Sequence, residues 1–586
     1  VFTGCYTSQS RIKRANRLGE DRLYDAEALQ AMATLAGTQP EATVNMDRAW
    51  QNVLFNHFHD ILPGSGVRDT REYALGLFQE TESYATGSMN RTMQSIAEAV
   101  DTTALGLPKN LQGSAAVGAG AGHGVVQGAK LEHNGFTQYA NVSDISRGGG
   151  DVRAFVLYNT TSYPRRERVQ LTLWDWELPL LKTAVYAQDL RELPYDVLES
   201  DQRYWSHSYA TLAFTAEVPP LGYTTVYVAR GKHPQEPPYQ ENTRVQHFKN
   251  TNPVLENELV RAEFDRRTLM LISLLDKRTG REQMAAPAGY RLIQEENVGF
   301  FTAWDVGRYG KLSLVQEESF VHLTEEKPAA RFPRLSYTLQ FSQSTLTVRV
   351  RLDGDMLRFS TELNWREESA DGKPVPQLQF TVPYAYQADC IRCDGAVTPA
   401  DRQEGDHDIP ALLYAAPVQA GGGLMLTTDS KYGYRATRGA LSVSLIRSSH
   451  SPDKLPEVGV HTTEIGLGAV PDFAEDTLLR RAVAFAHPVY VRSAAVGNGK
   501  LPAEACLLTL SGKARVTAVK PAQDGNGILV RMVQNGEGEE TVTLSPAAKA
   551  ETTDILENAE AALPVSGGKA QVTLKPHVLS SVRILP

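Results

Sequence analysis

The hydrophobic period of this chain changes once, and that change limits the folds open to it. Up to about residue 104 apolar side chains recur at helical spacing; from residue 151 onward they alternate. Within Arg11–Ala36, residues Leu18, Leu23, Ala26, Leu29, Ala33 and Leu35 fall mostly on one stripe of a helix. Asn45 or Asp47 can cap a second helix, which runs through Trp50, Val53, Leu54 and Phe58 until Pro63-Gly64 stops it. A third helix is expected from about Val67 through Leu75, Phe78, Ala85, Met89 and Ile96. Three helices with short joints predict a bundle. Strand signals follow, as in Ala154–Asn159, Arg168–Leu173, Thr225–Val228 and Ser344–Val350. Helices first and strands afterwards argue against an α/β barrel in this chain, because a barrel needs the two to alternate. The expected class is multidomain, α then β: a three-helix bundle followed by β-sandwich domains.

Composition shifts place the boundaries. The bundle is expected over 1–104 and a Gly/Ala-rich linker over 105–150, where Ala115–Gly124 and Gly148–Gly150 are of low complexity. A first β-sandwich unit is expected over 151–232, ending before the Pro-rich run His233–Pro238. A large β-sandwich domain is expected over 250–497 and a C-terminal β-domain over 500–586.

A chain of 586 residues, 42% of them hydrophobic, can bury several cores. Its net charge of −9 is spread along the sequence, which argues against nucleic acid or an anionic membrane as partner. No run of eighteen apolar residues occurs, so no membrane span is expected. Four cysteines do not make a disulfide framework in so long a chain. Cys390-Ile391-Arg392-Cys393 has no second pair and sits in strand-like sequence, so both thiols are expected to be reduced. Low cysteine usage favours a cytoplasmic setting. Neither a His-Glu-x-x-His nor a phosphate-binding Gly-x-x-x-x-Gly-Lys-Ser/Thr pattern is present.

The stretch Asn56–Gly66 carries the densest chemistry. It sets His59 beside Asp60 at the end of an apolar helix, just before Pro63-Gly64. Such a pair suits a metal ligand with a neighbouring hydrogen-bond acceptor; on spacing alone it more often marks a capped, solvated helix terminus. His57 and His59 are two residues apart and would lie on nearly opposite faces of a regular helix, so at most one can serve one ion. Asp406-His407-Asp408 also has metal-ligand atom types, but Glu404-Gly405 and Ile409-Pro410 flank it as they would a polar loop between strands.

Phe58–Gly64 resembles the signature of the glycoside hydrolase family 38 α-mannosidases. Upstream, Gly4-Cys5-Tyr6-Thr7-Ser8 with Lys13, Asn16-Arg17 and Glu20 resembles the family's entry into its central helical bundle. Downstream, Leu255–Glu258 and Asp276–Glu282 resemble the start of its large β-domain, a supersandwich. Trp304-Asp305, Asn364-Trp365, Asp429–Tyr434 and Leu445–Ser448 fit the same domain. The resemblance implies that His59 is one of four zinc ligands and that Asp60 contacts mannose. It implies a retaining hydrolase acting on a mannose-containing carbohydrate.

In that family a catalytic barrel precedes the Gly-Cys-Tyr-Thr-Ser segment and supplies the other zinc ligands and the nucleophile. Only Val1, Phe2 and Thr3 precede it here, so the chain is expected to be the C-terminal portion of such an enzyme, inactive alone. Arg447 and Tyr432 lie in family-like segments, and Arg447 is expected either to form a strand-end surface salt bridge or to contact distal sugar hydroxyls. The rival reading is a non-catalytic carbohydrate-binding or scaffold protein, with Trp174, Trp176 and Trp205 stacking on sugars. Large bundle and sandwich surfaces are compatible with a homodimer.

Overall fold

In the computed structural model, residues 2–38, 44–107, 151–174, 176, 178–204, 207–231, 251–296, 298–328 and 330–586 are described. Most of the expected linker, the Pro-rich run and Trp205 lie outside them. Three long helices come first: α1 (Ser10–Leu35), α2 (Val44–Asn56) and α3 (Arg68–Ala99). Strands dominate the rest, and among the described residues they form seven sheets, all with antiparallel neighbours. The expectation of a helical bundle followed by sandwiches, without an α/β barrel, therefore holds.

The chain partitions into two compact units. One comprises 1–21, 50–81 and 244–486; the other comprises 22–49, 82–243 and 487–586. In the first unit Gly19 of α1 faces Val53 and Phe78, and Ile12, Ile61 and Ala74 make a small buried cluster. Its β-part stacks a six-stranded sheet and a nine-stranded sheet around one large core. The strand Val375–Pro383 shows how the sequence specifies this arrangement. Leu378, Phe380 and Val382 point into the core, while Gln377, Gln379 and Thr381 alternate with them on the other face. The amphipathic helix Glu475–Ala486 covers the nine-stranded sheet with Leu478, Leu479 and Ala482.

The second unit holds two smaller sandwiches. In the first, Val152–Asn159 and Gly222–Arg230 face the three-stranded sheet of Arg165–Trp174, Tyr195–Tyr204 and His207–Val218. In the second, the sheets of the C-terminal region enclose Val519, Ile528, Val530, Val542, Leu544, Val572, Val582 and Ile584.

Two expectations are corrected. The large β-domain was expected to reach 497, but Tyr490–Ala494 pairs with Val152–Asn159 in the other unit's sheet. Alternating apolar residues mark Tyr490–Ala494 as a strand without saying which sheet takes it, since register and partner are tertiary properties. The second helix was expected to continue past Phe58; it ends at Asn56. Beyond it the amides of His57 and Phe58 bond three residues back, to Leu54 and Phe55, so the helix tightens into turns before Pro63. His59 thus sits in a turn and not on a helix.

Candidate functional site

The turn His57–Gly64 takes its shape from the residues beneath it. Gly64 adopts φ +79, and its amide bonds the carbonyl of Ile61. A Cβ there would stand 2.3 Å from the carbonyl oxygen of Ser8. Gly64→Ala should therefore cost more than the roughly 1–2 kcal/mol of left-handed strain alone, because a backbone atom blocks the methyl group. Equilibrium denaturation of the variant measures this, and an unchanged stability would refute the close approach.

On this turn His59 is the exposed member. Its side chain is 79% accessible, with Nε2 3.7 Å from Oδ2 of Asp60, itself 46% accessible. The Phe58 ring lies against the imidazole at 4.2 Å between centroids. Asp60 is held by buried Ser65, whose hydroxyl lies 3.2 Å from Oδ1 and 3.4 Å from the Asp60 carbonyl. His57 turns elsewhere: its Nε2 lies 3.2 Å from Oε1 of Glu20 on α1. Burial would raise the Glu20 carboxyl, but the His57 hydrogen bond and the Arg17 guanidinium outweigh it and hold the group below its ordinary range. The two histidines do not converge. The pair His59–Asp60 offers one imidazole nitrogen and a carboxylate to solvent, donors that suit zinc. No cluster of three or more His, Cys, Asp or Glu side chains able to hold a metal occurs among the described residues. The turn can supply part of a metal site, not a whole one.

Beneath it, residues of the Gly4–Glu20 segment do the bracing. Lys13 Nζ lies 2.6 Å from the carbonyl of Ser8, 2.9 Å from that of Leu62 and 3.0 Å from that of Pro63. Asn16 donates to the Tyr432 hydroxyl at 3.0 Å. Ser10 donates to Glu457 at 2.6 Å, and its hydroxyl lies 3.3 Å from Nδ1 of His461. His461 is buried, and its Nε2 lies 2.6 Å from the Glu457 carbonyl, an acceptor only, so this nitrogen carries the proton. Burial, aided by nearby Arg11, pushes the imidazole well below its ordinary value. The sign follows: as pH falls through about 6.5 the unfolded chain takes up this proton first, and folding stability drops. His461→Gln should make the stability–pH curve flatter below that pH, and an unaltered acid limb would contradict the neutral buried imidazole.

Arg447 neither reaches a sugar site nor forms a surface salt bridge. It is fully buried, as is its partner Glu295. Nε and Nη2 bond the two Glu295 oxygens at 2.7 and 2.8 Å. Nη1 donates to the Thr302 carbonyl and the Ser8 hydroxyl, and Nη2 also donates to the Asp305 carbonyl. All five guanidinium protons are used. Arg447 thereby ties the loop Thr302–Asp305 to Ser8 and to its own strand, and Tyr432 bonds α1.

The triplet Asp406-His407-Asp408 is split. Asp408 is buried against Arg435 at 2.8 Å, whereas Asp406 and His407 are exposed, and Asp406 accepts from Thr437. It makes no metal site. Asp408, Arg435, Tyr309, Gln377 and Gln379 form a buried polar cluster, with the Arg435 guanidinium 3.7 Å from the Tyr309 ring centroid. Sequence reasoning missed this cluster. The Gln-Leu-Gln-Phe-Thr-Val alternation was its signal, and alternation alone does not distinguish a solvated polar face from a covered one. All four cysteines are free. Cys390 and Cys393, three residues apart on one strand, point to opposite faces. Trp174 is buried against Tyr209, and Trp176 bonds Thr183 beneath Arg153, so neither offers an open stacking face.

This architecture is shared with two solved structures from Enterococcus faecalis, one described as a protein in the glycosyl hydrolase family 38 and one as an α-mannosidase. Each aligns over 100% of this chain, with TM-scores of 0.74 and 0.73 at 16% identity, and covers 71% and 68% of the solved chain. At that identity the likeness shows the fold. Three family models also match in order: the alpha mannosidase middle domain over 1–101, the glycosyl hydrolases family 38 C-terminal domain over 255–455, and that family's C-terminal beta sandwich domain over 513–578. The chain belongs to glycoside hydrolase family 38. Among curated relatives, Alpha-mannosidase 2C1 of Mus musculus is 23% identical over 479 residues, and Alpha-mannosidase G of Dictyostelium discoideum is 22% identical over 486. Each alignment takes in 79% of this chain but only 37% and 40% of the relative. The Saccharomyces cerevisiae Alpha-mannosidase is 32% identical over 96 residues, 16% of this chain and 9% of that protein. The chain thus spans about two fifths of the length of the Mus musculus and Dictyostelium discoideum relatives.

Proposed function

We propose that this chain is the middle and C-terminal part of a zinc-dependent, retaining α-mannosidase. The remaining zinc ligands, the nucleophile and the acid/base carboxyl lie on polypeptide outside it. The observation that carries the reading is the exposed His59–Asp60 pair on a braced turn, within a chain of family 38. A zinc ion bound there supplies a Lewis acid for sugar hydroxyls. His59 would hold such an ion through one imidazole nitrogen. Asp60, held in place by Ser65, would accept hydrogen bonds from hydroxyls of the mannose ring. Lys13, Ser8 and Gly64 keep both groups at fixed positions, and Arg447 with Glu295 fixes the loop Thr302–Asp305 beside Ser8. Retention follows from two carboxyl groups flanking the glycosidic bond, one attacking and one exchanging a proton.

No helix among the described residues is long and apolar enough to cross a membrane. The substrate class follows from the relatives named α-mannosidase: a mannose-containing carbohydrate. The test is hydrolysis of an aryl α-mannoside by the complete polypeptide, with the first-formed anomer followed by NMR. α-Mannose as the first product supports the reading. β-Mannose first would overturn retention. Binding of mannosides without any hydrolysis would favour the carbohydrate-binding alternative.

A further inference from the structure

We infer that Lys13 is the positioning residue of the His59–Asp60 turn, acting as a clamp between that turn and the chain segment entering α1. A lysine ammonium has three protons. Each of the three acceptors around Lys13 is a main-chain carbonyl: Ser8 at 2.6 Å, Leu62 at 2.9 Å and Pro63 at 3.0 Å. Leu62 and Pro63 immediately follow Asp60-Ile61, so two of the three bonds seize the outgoing strand of the turn. The side chain is buried, at 3% exposure. An ammonium is costly to bury without partners, and here three main-chain carbonyls surround it.

The third acceptor makes the clamp informative. Ser8 is where the turn meets the β-part of the same unit. Its carbonyl is pressed by Gly64, and its hydroxyl bonds the Ala303 carbonyl at 2.9 Å and receives Arg447 at 3.2 Å. Next to it, Gln9 sits at φ +50, and its side-chain Nε2 donates to the Gly66 carbonyl at 3.1 Å and to Oδ2 of Asp453 at 3.2 Å. A non-glycine residue held in the left-handed region marks a backbone whose surroundings over-determine it. The chain on both sides of the His59–Asp60 turn is thus fastened to one point through the Lys13 amine, which burial pushes down to about 7, so it carries all three protons on the acid side of that value. An apolar side chain of similar length would fill the space but take the Lys13 donor from one buried carbonyl and two half-buried ones, so the turn would loosen and the imidazole would lose its fixed direction.

This inference rests on the zinc reading above, and two measurements separate them. Lys13→Met in the complete polypeptide should raise the zinc dissociation constant, measured by competition with a chelator, roughly tenfold or more. That is the size expected when a group orienting a metal ligand is lost. Hydrogen exchange across 57–66 should speed up while the sheets of the same unit stay protected. Lys13→Gln keeps two amide protons and should fall between wild type and Met, which serves as the fallback if the Met variant does not fold. Wild-type zinc affinity together with wild-type exchange in 57–66 would overturn the clamp. The ligand reading fails on a different result, namely His59→Ala binding zinc as tightly as wild type. In that case faster exchange of 57–66 in Lys13→Met would still establish that Lys13 positions the turn.

Discussion

His59→Ala in the complete polypeptide is expected to lose zinc and α-mannosidase activity together. The imidazole is exposed, and among the described residues its contacts are with Asp60 and Phe58, so the variant should fold and unfold as wild type does. The effect should therefore appear in metal content and turnover, not in stability. Changes to groups that only orient a ligand already cost about 10–100-fold in metal affinity or activity, so loss of the ligand itself should exceed about 100-fold. Dialysed variant protein is compared with wild type by elemental analysis and by turnover of an aryl α-mannoside. Full zinc occupancy with normal turnover would remove His59 from the metal's ligands. His57→Ala is the matched control: its ring faces Glu20, and it should keep the metal.

The second large effect concerns Arg447 and Glu295. Both are inaccessible to solvent, and the guanidinium makes a two-pronged pair with the carboxylate. Arg447→Met strands a buried carboxylate, and the Thr302 and Asp305 carbonyls lose their donor at once. Breaking one side of a buried pair typically costs about 3–5 kcal/mol, far more than an exposed pair is worth. We expect a loss of that order by denaturant titration, together with faster exchange in the loop Thr302–Asp305. The double variant Arg447→Met, Glu295→Gln should recover part of the loss, because the uncompensated charge has gone. A single variant within about 1 kcal/mol of wild type would show that the pair carries little of the unit's stability.

The sequence made some of this legible and hid the rest for identifiable reasons. The three helices and the later strands were legible because period 3.6 and period 2 are local properties of side-chain order. The end of α2 was not. Phe58 continues the apolar pattern of Trp50, Val53 and Leu54, yet the helix stops at Asn56. What shapes the turn is the grip of Lys13 on Leu62 and Pro63, from a residue some fifty positions away. The partner of Tyr490–Ala494 was hidden for the same reason, being set by sheet register with Val152–Asn159. Arg447 looked like a strand-end arginine because no local signal distinguishes a surface cation from one whose carboxylate arrives from 152 residues earlier in the chain. At the site, His59 and Asp60 stood out by residue type and by family resemblance. Lys13, Asn16 and Glu20 stood out only as parts of a resembling segment, and the structure gives them work: Lys13 holds the turn, Glu20 holds His57 away from it, and Asn16 bonds Tyr432.

The central claim is that this chain contributes one ligand to a zinc site at which an α-mannoside is cleaved. Chelation and reconstitution of the complete polypeptide test it most directly. Hydrolysis of an aryl α-mannoside would be followed before zinc removal, after removal with a chelator, and after zinc is restored stoichiometrically. The account predicts activity that disappears with the metal and returns with about one zinc per chain in wild type, but does not return in His59→Ala. Hydrolysis that persists in the metal-free protein would contradict it.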